Sequence, residues 1–244
     1  MYPHLITTNT VTIIRDGETF TLDSASPSFN QVLDLVREGL WDEAIDAMSP
    51  ADAISAYGAG NITVKDNSIL RNGIEVDHCM VPHILEMKAK GFDIAPLVAF
   101  LDKILDNPSM RSRNQLWRFV SANNIAITPE GDLLFYKKVN SDYFDVHTGR
   151  THRYTEGSVH EMPRSQVDDD PESTCSTGLH VCSYEYLRHF GGERTMLCSV
   201  DPSNVVSVPV DYQNTKVRVC RLTVVKEVAN PKPLDTGVYD DLPF

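Results

Sequence analysis

The residues best equipped for chemistry cluster between positions 162 and 191. Gly178-Leu179-His180-Val181-Cys182-Ser183 places an imidazole two residues from a thiol, with a second thiol at Cys175. A Cys–His nucleophile would need both groups on one face of a regular strand, and Cys175 has no obvious orienting partner. His180 therefore reads as a hydrogen-bonded structural histidine. Cys175, His180 and Cys182 include no Cys-x-x-Cys pair, so the sequence predicts no zinc site and no metal. Asp168-Asp169-Asp170 with Glu172 offers hard oxygens for a divalent cation, but the glycine-turn spacing of a calcium loop is absent. It reads as a solvated acidic loop. No Walker A string, dinucleotide Gly-x-Gly-x-x-Gly or His-Glu-x-x-His occurs. No catalytic residue and no cofactor are predicted.

A second chemical feature closes the chain. After Val228, the run Ala229-Asn230-Pro231-Lys232-Pro233 is a proline-rich spacer that cannot continue a strand ladder. The last residues are Tyr239-Asp240-Asp241-Leu242-Pro243-Phe244. This end is very similar to the acidic tip of bacterial single-stranded-DNA-binding proteins, whose terminal Phe and carboxylate dock into a basic-rimmed apolar pocket on repair and replication enzymes. Phe244 would anchor, its α-carboxylate would meet Arg or Lys, and Asp240 and Asp241 would steer toward the basic rim, with Leu242 and Pro243 between. Host enzymes that bind that tip are the partners this segment implies.

The elements that must position these residues can be read from periodicity. Val11–Ile14 and Thr19–Leu22 flank Asp16-Gly17, a strong hairpin turn. Ser26-Pro27-Ser28 opens a helix with Phe29, Val32, Leu33 and Val36 on one stripe, ended by Gly39; Trp41, Ala44, Ile45 and Met48 form a second, closed by Pro50. Strand-like runs at 61–64 and 73–76 suggest a small hairpin. Helical stripes follow at about 78–90, over Leu97 to Leu105, and over 113–123. Arg111, Arg113 and Arg118 there read as a solvated face. From Ile125 the period becomes that of strands: 125–128 and 133–136 around Pro129-Glu130-Gly131, then 195–200, 205–210 and 216–225, the last two flanking residues 211–214. A polar connection runs between, from about Asn140 to Thr177.

Composition sets the limits. The 244 residues carry 22 Lys+Arg against 34 Asp+Glu, a net charge of −12, which argues against direct nucleic-acid binding. The longest apolar run, Ile94 to Leu101, is too short to span a bilayer, and no signal peptide is evident at Met1-Tyr2-Pro3-His4. Five widely spaced cysteines suit a reducing compartment. The predicted fold class is α+β: a helical N-terminal part with small β-hairpins, then a β-rich, mainly antiparallel C-terminal part. The expected divisions are 1–124, 125–228 and an acidic tail, 229–244, expected to be flexible.

Several rare strings occur in order: Met162-Pro163-Arg164-Ser165-Gln166-Val167-Asp168-Asp169-Asp170, Thr174 to Ser183, Arg188-His189-Phe190-Gly191, and Val206 to Tyr212. With Tyr143-Phe144-Asp145 and Phe29 to Ala44 upstream, they closely resemble the rIIB family of T-even and related bacteriophages. The resemblance implies an early phage accessory protein in the host cytoplasm. It would act with an rIIA-like phage partner, counter prophage exclusion or host defence, and affect lysis timing. T-even members begin with an additional helix-turn-helix-like segment not seen here, so no DNA-binding role is expected.

A second likeness touches the Gly178 segment. Gly178 to Val181 followed by Ser183-Tyr184-Glu185-Tyr186 is similar to the strand-to-helix turn of ADP-ribosyltransferase-like folds. That likeness implies a ligand pocket formed by His180, Ser183, Tyr184 and Tyr136. Val208, Val210 and Asp211 stand where the catalytic glutamate would be expected, so the alternative is a nucleotide-binding or nucleotide-sequestering domain, or a degenerate transferase, rather than an active enzyme.

Overall fold

The computed structural model describes residues 2–24, 26, 28–48, 61–65, 68–90, 92–147, 150–210 and 215–234. The chain divides into two compact units, 1–102 and 103–244. The expected turn at 211–214, Pro27, Pro50 and the docking residues Asp240, Asp241, Leu242, Pro243 and Phe244 lie outside the described residues. The α+β reading holds, with helices concentrated in the N-terminal half and a seven-stranded antiparallel sheet in the C-terminal half.

In the first unit, β1 (His4–Ile6), β2 (Thr10–Arg15) and β3 (Glu18–Asp23) form an antiparallel sheet. Asp16 and Gly17 both take positive φ, 50° and 86°, as a tight turn between right-twisted strands requires. Val11 and Ile13 on β2 face the apolar stripes of α1 (Phe29–Glu38) and α2 (Trp41–Met48), forming one core with Phe29, Val32 and Ile45. Gly39 ends α1 in the left-handed conformation. Strands β4 (Ile62–Lys65), β5 (Ser68–Arg71) and β6 (Ile74–Glu75) form a second small sheet. The expected partner of 61–64 was 73–76; instead the intervening Ser68–Arg71 pairs with both. Helix α3 (Val81–Ala89) follows, and α4 (Ala95–Leu105) spans the division.

In the second unit, α5 (Met110–Ala122) is capped by the Ser109 side chain, which accepts from the Ser112 amide. The sheet order is β11-β12-β9-β7-β10-β13-β8, from β7 (Leu133–Val139), β8 (Val159–Glu161), β9 (Leu179–Cys182), β10 (Arg194–Val200), β11 (Val205–Ser207), β12 (Lys216–Val219) and β13 (Arg221–Glu227). The run 216–225, read as one strand, is broken at Cys220. A single residue joins β12 to β13, yet β9, β7 and β10 lie between them in sheet order. A gap of one residue spans only a few ångströms, so the sheet must curl strongly on itself. The expected strand at 125–128 pairs with β7 through one bridge, Ile127 to Leu133, and through the Leu134 amide donating to the Ala126 carbonyl at 3.0 Å.

A buried polar knot fastens the start of α5 to the sheet. The Asn107 amide nitrogen donates to the carbonyls of Pro202 and Val205, while its oxygen accepts from Arg164, which also reaches the carbonyls of Ser203 and Val205. Of the arginines read as a solvated face, Arg111 pairs with Asp169 and Arg113 donates to the Asn107 carbonyl. Among the described residues no helix is long and apolar enough to cross a membrane.

Candidate functional site

Strand β7 carries a tyrosine and a lysine side by side, and alternation sends them to opposite faces of the sheet. Each face holds a cavity, of about 550 Å³ on the Tyr136 side and about 600 Å³ on the Lys137 side. Both volumes fall in the range of small-molecule sites.

The first cavity brings together three of the four pocket residues expected from sequence: Tyr136, Ser183 and Tyr184. The two tyrosine rings meet edge to face at 6.4 Å. The Tyr136 hydroxyl donates to the Lys232 carbonyl at 2.7 Å, so the described part of the proline-rich segment runs along this cavity, with Pro233 and Leu234 on its wall. Ser183 is 1% exposed and its hydroxyl has no hydrogen-bond partner among the described residues. After β9, Tyr184–Tyr186 forms one turn of 3-10 helix.

His180 is not with them. It lines the second cavity, together with Cys175, while Cys182 lines the first, so of the two Cys–His combinations weighed from spacing only His180 with Cys175 shares a cavity. Cys182 and Cys198 are buried, and burial drives both thiols up, Cys198 to about 12, which makes them inert hydrophobes. Among the described residues no group of three or more His, Cys, Asp or Glu is placed to hold a metal.

The second cavity is built around Lys137, which is fully buried. Its ammonium pairs with Asp145 at 2.7 Å, donates to the His180 carbonyl at 3.1 Å, and lies 4.5 Å from the Tyr154 ring centroid. Burial alone would raise the Asp145 carboxyl, but the adjacent Lys137 charge and hydrogen bond hold it below the usual range. Behind this pair His152, Tyr154 and His160 stack, with the Tyr154 and His160 rings 4.0 Å apart. Burial, then His152 and Lys137, push His160 down to about 4. His180 is pushed down to about 4 by burial, then by the charges of Lys137, Lys216 and Arg218.

Sequence reasoning missed Lys137 and Asp145. Lysine in a strand normally marks a solvent-facing position; the only signal was Phe144-Asp145 inside a long polar connection that had no reason to be loose. That connection folds back on itself through a bridge between Phe144 and Arg153 and through β8, which is what delivers Asp145, His152 and His160 to one place.

The comparisons with known proteins agree with one another. A family model described as Bacteriophage T4 protein rIIB matches residues 3–238. Protein rIIB of Enterobacteria phage T4 is 36% identical over 221 residues, which cover 89% of this chain and 70% of that protein. No solved structure matches the chain, and nothing in the comparisons supports the ADP-ribosyltransferase likeness.

Proposed function

This chain belongs to the bacteriophage T4 rIIB family, and we propose that it counters host or prophage exclusion through contacts with other proteins. The family match over 3–238 carries this reading, since it places the chain among phage accessory proteins. The surface is in keeping with it. Leu5 (62% exposed), on the edge strand β1 whose three residues are all exposed, shares the outer face of the first sheet with Ile14 of β2. The partners we propose are an rIIA-like phage protein and host enzymes that bind the tip of single-stranded-DNA-binding protein. The host cytoplasm is where both would be met.

Affinity capture tests the partners. Tagged full-length chain is expected to retain an rIIA-like protein from infected cells, and to retain the host enzymes through its last residues. Deleting Phe244 alone should abolish capture of those enzymes while leaving the circular-dichroism spectrum unchanged. Equal capture with and without Phe244 would make the end of the chain an ordinary terminus.

A second reading, that the C-terminal unit holds a nucleotide or nucleotide signal, is favoured by its two cavities of small-molecule size. Thermal-shift measurements with NAD, ADP-ribose and cyclic dinucleotides address it, because a ligand that binds only the folded state raises the apparent stability.

A further inference from the structure

We propose that the free edge of the first sheet pairs with the same edge of a second copy of this chain, giving a two-fold dimer with one continuous six-stranded sheet. The inference concerns a self-contact and stands independently of the phage and host partners proposed above.

Backbone polarity is the first argument. β1 is the outer strand in the order β1-β2-β3, and its register pairs Leu5 with Thr12. The Pro3 carbonyl accepts from the Ile14 amide and the Thr7 amide donates to the Thr10 carbonyl, both at 2.8 Å. Hydrogen-bonded pairs alternate along an antiparallel ladder, so Pro3, Leu5 and Thr7 face β2 while His4 and Ile6 turn their amides and carbonyls outward. Among the described residues nothing bonds to those four groups. Pro3, which has no amide to donate, falls where its nitrogen would face β2, and so leaves the outer edge intact. Two such edges laid antiparallel about an axis at Leu5 set His4 against Ile6 of the copy on both sides. Donors then meet acceptors four times, with no group left over.

Side chains are the second argument. Alternation places Leu5 with Ile14 on the outer face, and Ile6 (42% exposed) on the inner face with His4, whose ring lies 4.7 Å from that of Trp41. Pairing brings Leu5 beside Leu5 of the copy, at a Cα separation of about 4.5 Å, and covers Ile6 with His4 of the copy. The two edges of this sheet differ. β3 carries Glu18 and Asp23 at its exposed ends, charges that discourage edge pairing, whereas β1 has no Lys, Arg, Asp or Glu. Charge also selects the occupant. A chain with a net charge of −12 would hold a foreign strand best through basic residues, yet this edge offers no carboxylate to meet them, since nearby Asp42 already bonds Tyr2 and Arg15. A neutral apolar strand fits it, and β1 is itself one. The seam also keeps the like charges of the two copies apart.

Sedimentation velocity of the full chain, from micromolar to submillimolar concentration, tests the pairing. Three paired residues make a small, weak interface, so a concentration-dependent monomer–dimer equilibrium is expected. Leu5→Lys sets like charges side by side across the axis, and Ile6→Pro removes an outward donor at an edge position where proline is tolerated. Each change counts twice in a symmetric dimer, so each should weaken association about tenfold or more, with the circular-dichroism spectrum unchanged. Ile74→Lys, at an exposed position of the second small sheet, should leave association as it is. Geometry is read separately in a Cys79→Ser/Cys175→Ser background, which removes the exposed thiols. There Leu5→Cys should cross-link the dimer under mild oxidation, because about 4.5 Å is within disulfide reach, and Ile14→Cys, farther from the axis, should not. The cross-link decides the matter if Leu5→Lys or Ile6→Pro fails to fold. A chain that stays monomeric at every concentration would overturn the pairing and leave the edge to a foreign strand. A dimer that survives both Leu5→Lys and Ile6→Pro, or that cross-links through Ile14→Cys and not through Leu5→Cys, would refute this edge as the self-contact.

Discussion

Gly178 stands at the entry to β9 with φ +153°, and a Cβ there would lie 3.0 Å from Val167 Cγ1 and 3.3 Å from Arg218 Cβ. Two penalties coincide, an unfavourable backbone conformation and a neighbour that is itself pinned by hydrogen bonds. Gly178→Val is expected to cost more than about 2 kcal/mol, read as a lower denaturant midpoint. An unchanged midpoint would remove the glycine from any structural role. The importance of Gly178 was legible, because glycine at a loop-to-strand junction permits positive φ or close backbone approach. Gly192 was not: a Cβ there would meet the Val139 backbone at 2.7 Å, and nothing in Gly191-Gly192 says which glycine is constrained. His160 and His180 make a second residue-scale expectation. Both are held near 4 against an ordinary 6.5, so between those values the unfolded chain binds more protons than the folded one. Stability should then rise with pH across that window, by up to about 1.4 kcal/mol per pH unit for each histidine. Chemical denaturation at pH 5 and pH 7 checks it. His180→Gln should flatten the dependence, and an equally steep slope in that variant would assign the proton uptake elsewhere.

Strands and their connections explain where sequence reading stopped. Periodicity and turn residues defined β2, β3, α1 and α2, since each buries one face against a nearby neighbour. It could not see that 216–225 is two strands, because the break at Cys220 is set by the curl of the whole sheet and not by any local residue. Nor could it see β5, a four-residue segment whose pairing depends on both flanking strands. The connection 140–158 is tied to β7 by the Lys137–Asp145 pair, whose partners are 0% and 11% exposed. Removing one partner leaves a buried charge, so Asp145→Ala should cost about 3–5 kcal/mol. The double variant Lys137→Met/Asp145→Leu should recover a large part of that loss. A denaturant midpoint for Asp145→Ala within error of the parent would show that the lysine finds water or another acceptor.

At the scale of the whole molecule, family membership and α+β architecture were both legible, the first from rare strings in order and the second from the change of period near residue 125. The two-sided arrangement of cavities was not, because it depends on which face each neighbour on β7 takes. The function advanced here joins a phage accessory role to contacts with other proteins, with a ligand cavity as a separable property of the C-terminal unit. Complementation tests the first of these most directly. The full chain would be supplied from a plasmid to a phage lacking its own rIIB gene, plated on hosts with and without an excluding prophage. Plaques restored on the excluding host, with no effect on the permissive one, are the expected result. Plating indistinguishable from empty vector, with the folded protein present in the cells, would contradict the account.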